Sequence, residues 1–297
     1  MELSIVIISY NTKEITKDCI NSIYQSLDRS RSVPTQFEIL VIDNNSTDDS
    51  VEMLQQFEKK NKNFRLIQNK ENVGFARANN QGANLAKGEY LLFLNSDTIV
   101  LDTAIHKLLD FARITPHTDF VGGKLFNKDM TAQASCGPFY SLPVIFVALF
   151  LRGDYYGLTR SSPNATSQVD WVSGACILTK KEYFKKVGGF DEKIFMYMDE
   201  IDLLYRAKKQ GYRVFFCPQS QFIHLGSASS GNHTYPILQV YRGFMYFYKK
   251  HHSPLAMFFL KAMLQLKATI AVGIGKITQN KYLVQTYGEA QKLVTMA

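Results

Sequence analysis

Three groups of acidic residues stand where a strand should end or a helix begin. Asp43 follows the apolar run from Phe37 to Ile42, and Asp97 follows Tyr90 to Leu94 within Asn95-Ser96-Asp97. Asp199, Glu200 and Asp202 crowd a single stretch of four residues. Carboxylates so placed can hold a hard cation or take a proton. Each also has an ordinary structural explanation: Asp and Asn form turns after strands, and acids in a first helical turn complement the helix dipole. Their joint arrival on the ligand-binding edge of one predicted sheet favours chemistry. Asn72 and Gly74 open a further segment, in which Gly74 permits close backbone approach near a helix start, a setting that suits an anion. His224 stands just before a Gly/Ser-rich loop at 226–231, and Trp171, Ser173 and Gly174 precede an amphipathic segment.

The elements that must position these residues alternate. Leu3 to Ile8 is an unbroken, β-branched apolar run, as expected of a strand buried on both faces of a parallel sheet. Asn11 and Glu14 have capping-box spacing, and Ile15, Cys19, Ile23 and Leu27 follow at helical intervals. Phe37 to Ile42, Phe64 to Ile67 and Tyr90 to Leu94 are further strands. Between them the spacing predicts helices from about Ser46–Asp49 to Lys60, and from Phe75 to Lys87-Gly88, where glycine would occupy the C′ position. Beyond residue 100 the pattern is less regular. Leu142 to Leu151 is apolar but too short to span a bilayer. A helix is expected from Asp199 to before Gly211, with strands at Tyr212–Phe216 and Gln221–His224. Alternation of strand and helix predicts a βαβ sheet with ligands beyond the carboxyl ends of its strands.

The first strand leads into Ser9-Tyr10-Asn11-Thr12, not the glycine-rich turn a dinucleotide requires, and no P-loop is present. Composition is ordinary for a globular chain, with 46% hydrophobic and 20% charged residues. Four scattered cysteines, Cys19, Cys136, Cys176 and Cys217, form no CxxC pair, so they are expected to be buried thiols of a reducing compartment. The start, MELSIVIISYN, lacks the basic region of a signal peptide. A cytoplasmic location, or one on the cytosolic face of a membrane, is expected.

The runs SIVIISYN, VIDNNSTDDS, NVGFARANNQG, LNSDT and WVSGACILTKKEYFKKVGGFDEKIFMYMDEIDLLYRAKKQGY, in that order, resemble the family 2 glycosyltransferases, and in particular their rhamnosyltransferase-like branch. The resemblance covers roughly residues 1–250. It implies the GT-A fold, a Rossmann-like, mostly parallel sheet flanked by helices, here with a helical C-terminal appendage. It further implies a nucleoside-diphosphate sugar donor, of the dTDP or UDP type, a divalent cation (Mg²⁺ or Mn²⁺) and inversion at the anomeric carbon. By position in the family motifs, Ser9, Tyr10 and Asn11 would floor the base and Asp43 would accept its N3–H. Asn72 and Gly74 would flank the donor. Asp97 would hold the metal, although Asn95 replaces the first acid of the usual Asp-x-Asp, and His224 would assist at the metal or diphosphate end. Glu200 would be the catalytic base, with Asp199 its orienting partner. Trp171, Ser173 and Gly174 would line the sugar or acceptor pocket, though Trp171 could equally be core. The acceptor would be a glycan or a lipid-linked glycan. Two other readings compete: a sugar-nucleotide pyrophosphorylase, disfavoured by the absence of a basic glycine-rich loop after the first strand, and a non-catalytic binding protein of the same fold.

The net charge of +8 is concentrated at one end. From Arg242 onward stand eight basic residues and a single acid, Glu289. Nucleic-acid-binding proteins usually spread basic charge over a recognition face, so no nucleic-acid partner is expected. Residues 1–250 are read as the catalytic domain, with a nucleotide-binding half to about residue 100 and an acceptor half after it. Residues 251–297 are read as a basic, apolar helical extension. Ser253-Pro254 is a good helix start, and Leu255 to Val272 is mostly apolar with Lys261, Gln265 and Thr269 spaced four apart. Such a segment suits either an anionic membrane surface or a second subunit.

Overall fold

A computed structural model of the protein describes residues 1–28, 35–226 and 234–296. All of the expected Gly/Ser-rich loop except Gly226 lies outside these residues. In chain order the elements are β1 (Leu3–Ser9), α1 (Lys13–Asp28), β2 (Phe37–Asp43), α2 (Ser50–Lys60), β3 (Phe64–Gln68), α3 (Phe75–Leu85) and β4 (Tyr90–Leu94). There follow β5 (Thr98–Val100), α4 (Ala104–Ile114), β6 (Phe120–Phe126), β7 (Ala132–Gln133), β8 (Cys136–Gly137) and α5 (Leu142–Phe150). Next come β9 (Ser167–Val169), β10 (Trp171–Val172), β11 (Cys176–Lys180), α6 (Lys181–Val187), α7 (Asp199–Lys209) and β12 (Val214–His224). The chain ends in α8 (Thr234–His251), α9 (Pro254–Ile277) and α10 (Lys281–Met296).

Two compact units emerge. The α/β unit comprises Met1–Pro138, Arg160–Phe195 and the chain from Asp199 through β12; the helical unit comprises Phe139–Thr159, Met196–Met198 and the three C-terminal helices. The division therefore falls elsewhere than at residue 250: the apolar 142–151 segment and all of α8 belong with the tail.

In the α/β unit the main sheet runs β3-β2-β1-β4-β11-β6-β12-β5. The first four strands are parallel, with β11 inserted antiparallel between β4 and β6. β1 is buried almost throughout because helices cover both of its faces, and Ile5, Ile7, Ile20, Ile39, Val41 and Leu92 share one core with Leu108 of α4. Emptying such a position to alanine costs about 2–5 kcal/mol. All four cysteines are buried and unpaired in disulfides. Two expectations are revised. The separate strands at 212–216 and 221–224 are one strand, β12, whose register on β6 shifts between Cys217 and Gln221. Gly88 does not cap α3, which ends at Leu85 with Ala86 as its C-cap; the lack of a side chain at Gly88 admits the start of β1, since a Cβ there would lie 2.5 Å from Ser4 N.

The helical unit is tied internally by Tyr248, whose hydroxyl donates to Tyr140 O at 2.8 Å, and by the edge-on pair Tyr140–Phe244. Ser253 caps α9 as its sequence predicts, its hydroxyl accepting from Ala256 N.

Candidate active site

The carboxyl ends of β1 and β2 are locked together before any ligand is considered. Parallel register sets Ser9 beside Asp43, and Asn44 N donates to Ser9 O at 2.8 Å. Asp43 is buried, and its two oxygens accept from Ser46 N (2.9 Å) and Ser46 Oγ (2.6 Å). Ser46, expected only at a helix start, thus fixes the carboxylate. Asn11 does not cap α1. Its backbone is left-handed, with φ 52°, and its side-chain oxygen accepts from Thr47 N at 2.7 Å, pinning the first loop to the second. Ser9 is fully buried behind the strand ends, whereas Tyr10 keeps a half-exposed ring and Asn11 is exposed.

Beside this lies an amide network. Asn44 Nδ2 reaches Asn72 Oδ1 (3.2 Å) and Gly74 O (3.3 Å), Asn72 Oδ1 also accepts from Gly74 N (3.0 Å), and Asn69 bridges Asn44 to Gln81. Gly74, at φ +83° and ψ 171°, occupies a region open essentially to glycine alone. A Cβ there would lie 2.8 Å from the Phe195 ring. Phe195 O takes the Phe75 N–H at the start of α3, so this helix terminus is already partly satisfied.

At the end of β4, pairing of β12 with β5 sets His224 opposite Thr98 and hence next to Asp97. His224 Nε2 is 3.3 Å from Asp97 Oδ1 and 3.3 Å from Asn95 Nδ2, while Asn95 Oδ1 is buried without a hydrogen-bond partner. Gln133, from β7, determines the form of the imidazole. Its Nε2 donates to the backbone carbonyl of His224 (3.2 Å) and to Asn127 Oδ1, so its Oε1 is the atom 2.7 Å from His224 Nδ1. A carbonyl oxygen only accepts, so Nδ1 carries the proton and a neutral His224 turns the lone pair of Nε2 toward Asp97. A carboxylate oxygen, an imidazole nitrogen and an orphaned amide oxygen are donors that fit a divalent cation such as Mg²⁺ or Mn²⁺. Among the described residues no three His, Cys, Asp or Glu side chains gather, so the protein would supply few ligands and a bound diphosphate the rest.

Glu200 stands in the first turn of α7, and a Cβ on Gly174 would lie 3.5 Å from its Cβ. Burial pushes its carboxyl above the ordinary range, opposed by the amides of Glu200, Ile201 and Gly174 and by the Arg160 guanidinium. The loop carrying Gly174 also touches the metal end, because Asn95 N donates to Ala175 O at 3.1 Å. One short loop therefore joins the base candidate to the Asn95–Asp97 corner. Ser173 shapes it, donating its N–H to Ser135 O (2.8 Å) and accepting from Ala175 N on its hydroxyl. Trp171 is corrected from pocket wall to core: it is 2% exposed, its indole donates to Pro138 O at 2.8 Å, and Arg160 covers its ring. Arg160 was missed in the sequence because it lies in an irregular, patternless segment. Asp199 is buried ahead of Glu200. Asp202 is structural, paired with Arg206 (2.7 Å), which also donates to the carbonyls of Val187 and Gly189.

A family model described as "Glycosyl transferase family 2" matches residues 4–188. The N-acetylglucosaminyl-diphospho-decaprenol L-rhamnosyltransferase of Mycobacterium tuberculosis is 28% identical over 212 residues, covering 65% of this chain and 68% of that protein. The O-antigen biosynthesis protein RfbC of Myxococcus xanthus is 30% identical over 226 residues, covering 71% of this chain but only 16% of its own length. Among solved structures, mannosyltransferase PcManGT from Pyrobaculum calidifontis, in complex with GDP-Man and Mn²⁺, superposes with a TM-score of 0.60 at 15% identity, covering 98% of this chain and 86% of that one. S. aureus TarS 1-349 in complex with UDP gives 0.54 at 16% identity, covering 89% and 65%. At such identities the likeness concerns the fold alone, and that fold is GT-A.

Proposed function

The chain belongs to glycosyl transferase family 2, and we propose that it is an inverting, cation-dependent enzyme that moves a sugar from a dTDP- or UDP-sugar to a hydroxyl of a glycan or lipid-linked acceptor. Rhamnose is the first sugar to test, and cell-surface polysaccharide synthesis the setting, by likeness to the mycobacterial and myxobacterial relatives. The reaction belongs on the cytoplasmic side of the membrane, where nucleotide sugars are made. One observation carries this reading: the 173–175 loop touches both the half-buried Glu200 and the corner formed by Asn95, Asp97 and His224.

In this reading Tyr10 and the Ser46-held Asp43 face the base. Uracil and thymine both offer an N3–H, so Asp43 accepts either. Asn72 and Gly74 shape the approach to the donor, and Ser9 and Trp171 act from behind the surface. Asp97, His224 and Asn95 would hold Mg²⁺ or Mn²⁺, which supplies positive charge beside the diphosphate. Glu200, oriented by Asp199 and lined by Ser173 and Gly174, takes the proton of the acceptor hydroxyl. That oxygen bonds to the anomeric carbon from the face opposite the nucleotide, the bond to the diphosphate oxygen breaks, and the nucleoside diphosphate leaves with configuration inverted.

The test is to incubate the protein with dTDP-rhamnose and a panel of UDP-sugars, with Mn²⁺ or chelator, and separate the nucleotides by chromatography. Release of nucleoside diphosphate that requires acceptor and cation, with an inverted anomer by NMR, is expected. Release of pyrophosphate would indicate a pyrophosphorylase instead, and a retained anomer would overturn the role of Glu200.

A further inference from the structure

Two left-handed residues lead directly into the helix that carries Glu200. Among the described residues, Tyr197 (φ 64°) and Met198 (φ 66°) are the one consecutive pair of non-glycine residues with positive φ. In this conformation the Cβ of an L-residue crowds the carbonyl that follows it, and Asn and Asp adopt it far more readily than Tyr or Met. Asn11, Asn45 and Asp102 do so here, each standing alone. Asp199 and Glu200, the first two residues of α7, follow at once. Strain of this kind persists only where the surroundings over-determine it, and it gathers at functional sites.

Up to Phe195 the approach to this turn is fixed by α3. Phe190 N donates to Asn80 Oδ1 (2.9 Å), Asn80 Nδ2 donates to Phe190 O (2.9 Å), and Phe195 O accepts from Phe75 N (3.0 Å). Only Met196, Tyr197 and Met198 then remain before α7. Met198 is 6% exposed and lies against Gly243 of α8. A Cβ on Gly243 would stand 2.7 Å from Met198 Cγ, 3.0 Å from Met198 Cβ and 3.4 Å from Tyr197 O. Tyr197, Met198 and Gly243 all belong to the helical unit, so the contact is internal to it. Gly243 sits in the interior of the 18-residue α8, where glycine is less favourable than any residue but proline. The helix itself gives no reason for a glycine there. The close approach of Met198 and of the Tyr197 carbonyl does.

We propose that Gly243 and Met198 are positioning residues for Glu200: the bare backbone of Gly243 admits the left-handed turn at 197–198, and that turn sets where α7 begins and where its carboxyl stands. The proposal rests on Glu200 as the base. Gly243→Ala is made in the full chain, and turnover with the donor and acceptor that support transfer is measured beside calorimetric affinity for UDP or dTDP. A helix-interior alanine is otherwise more favourable than glycine, so an effect confined to α8 would leave turnover at the wild-type level. Instead kcat should fall about tenfold to hundredfold, the cost of a misplacement of about 1 Å. Nucleotide affinity and the number of nucleotide sites should be unchanged. Met198→Gly removes both clashing atoms and accepts positive φ freely. In that background Gly243→Ala should alter kcat less than about twofold, as expected of sites no longer in contact. Wild-type kcat in Gly243→Ala overturns the proposal, as does an equal fractional loss in both backgrounds, an absence of turnover in Met198→Gly, or a fall in nucleotide affinity that accounts for the loss. Glu200→Gln is assayed alongside. If it keeps full turnover, the base assignment fails and this proposal with it; if it loses turnover while Gly243→Ala keeps it, only this proposal fails.

Discussion

The carboxyl of Glu200 is asked to work against its surroundings. Burial raises its pKa, so between the ordinary glutamate range and the raised value the folded state keeps a proton that the unfolded chain has released. Stability therefore falls as pH rises through that window, while the base form needed for transfer becomes more abundant. Glu200→Gln removes the titratable carboxyl and keeps the shape. It should lower kcat by about 10²–10⁴-fold, abolish the acidic limb of the rate profile and leave nucleotide affinity intact, with a melting temperature at neutral pH no lower than wild type. Near-normal turnover in this variant would move the base elsewhere, with Asp199→Asn the next to assay. Gln133 carries a second prediction. Gln133→Leu deprives His224 Nδ1 of its acceptor, and Mn²⁺ affinity measured by electron paramagnetic resonance should fall about 10–100-fold. Gln133→Glu, which still accepts there, should retain most of it. Equal affinity in the leucine variant would remove Gln133 from the site.

Among the elements, what the sequence made legible follows from which forces are local. β1 to β4 were bounded to within a residue or so: β1, β2 and β4 are apolar runs buried along almost their whole length, and the half-exposed β3 is still marked by Phe64, Leu66 and Ile67. Turn chemistry misled where a long-range partner won. Asn11 had the right spacing to cap α1 but holds Thr47, and the two strands expected at 212–216 and 221–224 are one, which β6 pairs across a register shift. Asp97 and Glu200 were legible through their motifs, whereas Gln133 and Arg160 act over contacts that no local pattern records. Gly74 was legible for only part of its reason. A helix start explains a glycine, but the close approach of Phe195 requires one. Gly74→Ala combines positive φ with that clash and should cost about 1–3 kcal/mol, read as a lower urea midpoint at unchanged slope. Wild-type stability would mean that Phe195 gives way freely.

At the scale of the whole molecule, function and charge are partitioned. The α/β unit holds every residue invoked to bind donor or cation or to take the proton, while the last three helices hold most of the net positive charge. The sequence hid the true division because no linker composition marks it: residues 139–159 enter the helical unit as an insertion, and their apolar run resembles any core helix. Such a chain need not unfold in one step, and a ligand raises only the transition of the unit that binds it. With nucleoside diphosphate at about a hundred times its Kd, the added stability is about 2.7 kcal/mol. Calorimetric melts with UDP or dTDP, with Mn²⁺ or chelator, should therefore move the transition of the α/β unit upward and leave any separately resolved helical transition in place. Asp97→Ala should remove the cation-dependent part of that shift, because it takes away the one carboxylate at the end of β4 while leaving Asp43 and Tyr10 to the base. A full, cation-dependent shift in Asp97→Ala would show that the donor and its metal are held without that corner of the sheet.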